Sequence, residues 1–204
     1  MFDSYGYVVT NNFCLMQGIT SENVAAKYNI TRQAQDEFAA GSYRKAEDAQ
    51  KNGYFNAEIY PLTVKYTDPK TGNETSVTVN KDDGVRPGTT VETLSKLKPA
   101  FKKDGSTHAG NASQVSDGAA AVILARRSVA EKHGLPIQGK FIAATVVGVP
   151  PAIMGVGPAY AIPKLLTKTG LTISDIDIFE INEAFASQCL YCAEVRSRFI
   201  SLLT

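Results

Sequence analysis

Three kinds of side chain in this 204-residue sequence could do chemistry: an asparagine at a strand-to-helix corner, two histidines, and three cysteines. Asn182 stands in "IFEINEAFASQCLYC", where an apolar β-branched stretch gives way to helix-forming residues. The start of a helix presents unpaired backbone N–H groups, and an amide beside them can hold a water that stabilises a developing oxyanion. The same residue type is also an ordinary N-cap. His108, in the Gly-rich "DGSTHAGNAS", could act as a base, yet spacing puts no Ser or Cys nucleophile beside it. His133 precedes Gly134 at a helix end, where an imidazolium is compatible with the helix dipole. Cys189 and Cys192 form a C-x-x-C without a second pair, so they read as core or surface thiols rather than a zinc site. "GVGPAY" holds half of a dinucleotide fingerprint, but Tyr160 takes the place of its third glycine.

The elements that must position these residues divide the chain in two. From Thr20 to Gly53 the pattern is helical, with Thr31 as N-cap, Asp36 and Glu37 near the positive end, and Gly53 as stop. Phe38, Ser42, Ala46 and Ala49 share one face of that helix, the pattern of an ordinary amphipathic surface helix. "PLTVKYTDPKTGNETSVTVN" alternates on both sides of an Asp68-Pro69-Lys70-Thr71-Gly72 turn and predicts a β-hairpin. Beyond residue 108 the chain reads as alternating helix and strand. A helix from Ser116 enters a buried strand at 121–125, and a short helix ends at Gly134. "KFIAATVVGV" is a buried strand, and "GPAYAIPKLLTKTG" is a helix that Pro163 should kink or delay. "DIDIFEI" is a third buried strand, with a helix from Asn182 onward. Such alternation is the signature of a layered α/β core.

Composition sets limits on function. Lys plus Arg is 21 and Asp plus Glu is 20, so the chain lacks the clustered positive charge that nucleic-acid or membrane-surface binding needs. No apolar run approaches the ~20 residues of a membrane span. The first residues carry an acid and no basic region before an apolar core, so they do not read as a secretory signal. With only three cysteines, a reducing compartment is expected, and the sequons at Asn29, Asn73 and Asn111 carry little weight.

Four stretches, "GITSENVAAKYNITRQAQDEFA", "KLKPAFKKDGSTHAGNASQVSDGAAAV", "GVPPAIMGVGPAYAI" and "DIDIFEINEAFASQ", resemble the thiolase family in one continuous register. The likeness is strongest to its peroxisomal 3-ketoacyl-CoA branch. It implies an α/β, layered αβαβα fold, here incomplete, with an inserted α+β loop domain that covers coenzyme A. By that resemblance residues 1–108 are the loop domain, 109–138 end the first core half, and 139–204 begin the second. It implies acyl transfer to or from CoA, most simply thiolytic cleavage of 3-ketoacyl-CoA in fatty-acid β-oxidation. CoA would be a substrate, with no metal or redox cofactor, in a peroxisomal homodimer; a mitochondrial or cytoplasmic location is the alternative.

The resemblance places Arg86, Phe101, Ala109 and Ser113 along the CoA pocket, Phe185 near the acyl end, and Asn182 as the holder of an oxyanion-hole water. It also shows departures. The family's nucleophilic cysteine, its later G-H-P histidine and its second cysteine have no counterpart here. Met16 and Gln17 replace a usual Pro-Met, and the residues before Cys14 and after Val195 are unlike the family. The alternative expectation is therefore a catalytically inactive, truncated thiolase that at most binds CoA or a partner subunit.

Overall fold

A computed structural model describes residues 17–116 and 118–201, with the backbone alone for 196–201. Cys14, Met16, Asp117 and the first residues of the chain lie outside the described residues. The helical region between Thr20 and Gly53 is two helices, α1 (Gln17–Tyr28) and α2 (Arg32–Lys51). Asn29 breaks them apart by adopting a left-handed φ of 56°. Thr31 then caps α2 as expected, its hydroxyl accepting from Ala34 N–H at 3.1 Å. Gly53, at φ 72°, follows the last turn of α2, where a side chain would be strained.

The hairpin forms around the expected turn. Strands β1 (Leu62–Thr67) and β2 (Glu74–Val79) pair antiparallel, with Val64 opposite Val77 and Tyr66 opposite Thr75. Asp68 closes the turn, its carboxylate accepting from Lys70 N–H at 2.7 Å. A short helix α3 (Val91–Ser95) follows, held at its start by reciprocal Thr90 and Thr93 bonds.

The later helices are α4 (Arg127–Lys132), α5 (Gly157–Thr169) and α6 (Ala186–Ser201), with a 3-10 turn over Pro151–Val156 leading into α5. Helix α5 runs through Pro163 and ends on left-handed Gly170. The helix starts at Gly157, so Pro163 does not delay its start. Helices α1, α2 and α6 and the 3-10 turn pack together. Their apolar centre is Val24, Ile153 and Val156, flanked by Tyr28, Ile30, Val149 and Tyr191. Full burial of such a side chain contributes roughly 1.5–3 kcal/mol. The Tyr28 and Tyr191 rings stack with centroids 3.8 Å apart.

Three expectations are corrected here. Residues 121–125, 140–149 and 175–181 are not strands: among the described residues the hairpin is the whole sheet. Nor does a helix lead out of Ser116 into the first of them. Apart from Asp175, which ends a 3-10 turn over Ile173–Asp175, these segments form no helix or strand and are largely exposed, Ile123 at 89% and Val146 at 83%. A strand's backbone groups bond only across to another strand, and the described residues provide no such neighbour for these segments. Residues 140–149 come nearest to the expected state. Ala143, Thr145, Val147 and Val149 are half-buried in alternation with exposed neighbours, while Lys164 and Lys168 of α5 donate to the carbonyls of Val146 and Ala144 at 2.8 and 3.0 Å. Finally, α6 starts at Ala186, four residues after Asn182, so Asn182 is not its N-cap.

Candidate functional site

A cavity of about 1010 Å³ opens between α2, the loop after β2, the loop at residues 109–116 and the approach to α6. Its floor is the α2 face that carries Phe38, Ser42 and Ala46. That face was legible in the sequence, but its partner was not: it borders a groove as well as a core. The loop after β2 is tied to the C-terminal half of α2. Gln50 donates to Asp82 O at 3.0 Å, and Gly88 N–H donates to the Glu47 carboxylate at 3.1 Å. This sets Arg86 on the groove's rim, its guanidinium turned back onto the carbonyls of Asp83 and Val85.

The opposite wall is a loop held from three sides. The buried Glu22 carboxylate of α1 accepts from Ser106 N–H at 2.9 Å and Thr107 N–H at 2.8 Å. The buried Asp36 carboxylate of α2 accepts from His108 Nε2 at 2.7 Å and Asn111 Nδ2 at 3.1 Å. Its other oxygen takes Arg32 Nε at 2.7 Å, and Arg32 also donates to the carbonyls of Leu94 and Leu97 beside α3. On the third side the loop joins the start of α6: Ser113 N–H donates to Ala184 O at 2.9 Å and Ala186 N–H to Asn111 O at 3.0 Å. Below this joint the Ser21 hydroxyl lies 2.7 Å from that of Thr107 and 2.8 Å from that of Ser187, all buried.

Four of the six expected site residues therefore meet. Arg86, Ala109, Ser113 and Asn182 all line the one cavity. Asn182 is exposed there, and its carbonyl accepts from Gln188 Nε2 at 3.2 Å. Phe185 is instead buried as the anchor paired with Ala112, behind the groove wall. Phe101 is also not part of the lining. Its ring covers Gly18, where an added Cβ would come within 2.3 Å of ring carbons.

Two residues that spacing did not single out complete the wall. Glu183 receives a short hydrogen bond from the Ser42 hydroxyl, clamping the approach to α6 onto α2. Asp36 reads in sequence as a helix-dipole partner, but it points inward as the hub of the loop's hydrogen bonds. Only the tertiary contact distinguishes these roles.

His108 is fully buried and is not a base awaiting a nucleophile. Nε2 faces Asp36, and Nδ1 accepts from Gly110 N–H at 3.0 Å. Burial holds its pKa below the ordinary imidazole range, Arg32 adds to that, and the bond to Asp36 opposes it without prevailing. Cys189 and Cys192 are buried free thiols of α6. Burial, with Glu183 nearby, pushes Cys189 up to about 12, and burial also raises Cys192. Neither is poised as a thiolate. Among the described residues no group of His, Cys, Asp and Glu is arranged to hold a metal ion.

Residues 6–128 match the family description "Thiolase, N-terminal domain", and residues 135–198 match "Thiolase, C-terminal domain". The chain belongs to the thiolase family. The head and tail expected to be unlike the family are in part within the match, which runs from residue 6 and on to residue 198. It is 64% identical over 179 residues to a peroxisomal 3-ketoacyl-CoA thiolase of Yarrowia lipolytica, covering 87% of this chain and 43% of that protein. The human peroxisomal 3-ketoacyl-CoA thiolase is likewise 64% identical, over 89% of this chain and 43% of the relative. The chain thus spans under half the length of these thiolases. The dimeric peroxisomal thiolase of Saccharomyces cerevisiae superposes with a TM-score of 0.85 at 52% identity, covering 97% of this chain and 49% of that one. A Bacillus anthracis acetyl-CoA acetyltransferase superposes at 0.84 with 42% identity, over 90% and 45%. The fold is thiolase-like and incomplete.

Proposed function

We propose that the groove is the coenzyme A face of a thiolase-type acyltransferase, which converts 3-ketoacyl-CoA and CoA into acyl-CoA and acetyl-CoA. The observation that carries this reading is the convergence of Arg86, Ala109, Ser113 and Asn182 on one cavity. Arg86, with Lys81 on the same wall, offers cationic donors suited to the phosphates of a nucleotide. Ala109 offers apolar contact to a pantetheine arm, and Ser113 a hydroxyl. Asn182 presents an exposed amide, able to orient a water toward a developing enolate oxygen. Phe185 acts at one remove, by anchoring Ala112 of the wall.

The covalent half of the chemistry needs a thiolate to take up the acyl group and a base to manage its proton. The groove wall carries neither a thiol nor an imidazole among the described residues. That observation favours a second reading for these 204 residues taken alone: coenzyme A binding without turnover. The peroxisomal relatives and the dimeric yeast structure support a peroxisomal, homodimeric assembly for the full activity.

Calorimetric titration of CoA into the chain and into Arg86→Ala tests the groove, alongside a thiolysis assay that follows loss of 3-ketoacyl-CoA. Binding on the order of millimolar is expected, several-fold weaker in the variant, with no turnover. Equal binding by both proteins would remove the assignment of the groove, and turnover by clean protein would remove the second reading.

A further inference from the structure

Among the contacts that hold the loop presenting Ala109 and Ser113 to the groove, one imidazole joins the Asp36 carboxylate to the backbone between them. We propose that His108 is a positioning residue for this wall: as its Nε2–H tautomer it bridges Asp36 to the Gly110 amide and so fixes residues 109–113. The inference rests on the reading of the groove as a coenzyme A site, which it deepens.

The geometry leaves His108 one arrangement. Asp36 Oδ1, 2.7 Å from Nε2, already accepts from Asn111 Nδ2, and the other carboxylate oxygen accepts from Arg32. The carboxylate therefore needs a donor at Nε2. Gly110 N–H, 3.0 Å from Nδ1, can only donate, so Nδ1 must be unprotonated. The backbone on either side is fixed as well, because His108 N–H donates to Asn111 Oδ1 at 2.9 Å and Asn111 Nδ2 donates to Ser106 O at 2.9 Å. Gly110 itself sits close against leucine side chains. An added Cβ would lie 2.5 Å from Leu94 and 2.8 Å from Leu97.

The charged groups around the ring are Asp36 and Arg32 from α2, with Glu22 of α1 holding the loop two residues upstream. Beside α3 the neighbours are the apolar Leu94 and Leu97, and α6 meets the loop through backbone groups and Ser187. Asp36 is thus the one anion facing the ring, and it faces Nε2. A second proton at Nδ1 would set two N–H groups against each other at Gly110. A ring that stays neutral keeps the loop closed onto α2 and the start of α6.

Imidazole NMR, amide hydrogen exchange and CoA titration on the full chain test this. The sequence holds only His108 and His133, so His133→Gln assigns the two rings. The expected result at pH 7 is a neutral Nε2–H tautomer at His108 and a protected Gly110 amide. In His108→Leu, which keeps bulk but loses both polar atoms, Gly110 protection and CoA affinity should each fall about tenfold, the loss of one hydrogen bond to a charged group. Amides of α1 and α6 should keep their protection. His108→Gln, which again supplies a donor and an acceptor, should recover most of both.

An Nδ1–H tautomer or an imidazolium in the wild type, or unchanged Gly110 protection in His108→Leu, overturns the proposal. Should that variant not fold, the wild-type tautomer and the His108→Gln measurements still decide. A wild type with the expected tautomer and protection but no CoA binding would sink the groove's function and leave the positioning role standing. CoA binding unchanged in His108→Leu would do the reverse.

Discussion

Residues 17–51 and residues 118–149 are both rich in small and β-branched side chains, yet the first are packed and the second are largely bare. In α1 and α2, Val24, Ala25 and Ala39 are buried, along with polar Ser21, Glu22, Gln35 and Asp36. In the later stretch Val122, Ile123, Leu124, Phe141 and Ile142 stand in solvent. Hydrophobicity does not explain the contrast, since the bare residues are the more apolar. A helix satisfies its own backbone and can be judged by what its faces touch. A strand is unfinished until a neighbour takes its N–H and C=O groups. The helical region has such faces met by α6 and the loop at 106–113, whereas the later segments wait on pairing that the described residues do not contain.

The comparison can be broken most sharply at its polar hub. Asp36→Ala should destabilise the helical region by about 3 kcal/mol, because it leaves buried His108 Nε2 without its partner and takes one bond each from Asn111 and Arg32. Urea unfolding followed by circular dichroism measures this, and a change under 1 kcal/mol would show that the hub is not the anchor it looks.

Next in size is a matched pair across the two regions. Val24→Ala, at 1% exposure, should cost about 2 kcal/mol. Ile123→Lys, at 89% exposure, should change stability by less than about 0.5 kcal/mol. Light scattering should meanwhile show less self-association in Ile123→Lys, because a bare apolar segment gains a charge. A large destabilisation by Ile123→Lys would mean that the segment is packed after all.

A smaller effect separates the regions by pH. Burial lowers the folded-state pKa of His108, so the unfolded chain binds its proton more readily. Stability from this group is full above the ordinary imidazole value near 6.5 and is lost as pH falls from there toward the folded value. Thermal melts between pH 7.5 and 5 should show this loss, and His108→Gln should flatten it. The smallest effect is kinetic. Cys189, held up at about 12, and Cys192, also raised, should resist iodoacetamide at pH 8 and be labelled only in denaturant. Mass spectrometry of the labelled peptides reads this directly.

Much of the local structure was legible in the residues. Thr31 capping α2, the Asp68 turn between β1 and β2, α4 ending at Gly134 and α5 ending at Gly170 all follow from chemistry within a few residues. The strands at 121–125, 140–149 and 175–181 did not form, because a strand pattern states a requirement and not its fulfilment. At the site, family likeness brought forward Arg86, Ala109 and Ser113, while Asn182 stood out already by its place in the sequence, and the four share a cavity. Phe185 is buried against Ala112 and Phe101 covers Gly18 of α1 outside the groove, placements that hydrophobicity cannot separate from lining a pocket.

The family, the cap of α2 and the hairpin can be read along the chain, since each depends on side chains close in sequence or on motifs read whole. Only the tertiary structure decided that Asp36 turns from a helix-dipole charge into the hub of a buried network. It alone decided that His108 is a spacer, not a base, and that Ser42 grips Glu183 at the groove's edge. Each of those roles depends on a partner tens of residues away. A buried polar atom's chemistry is set by whichever donor or acceptor the fold brings within about 3 Å, which no local pattern records.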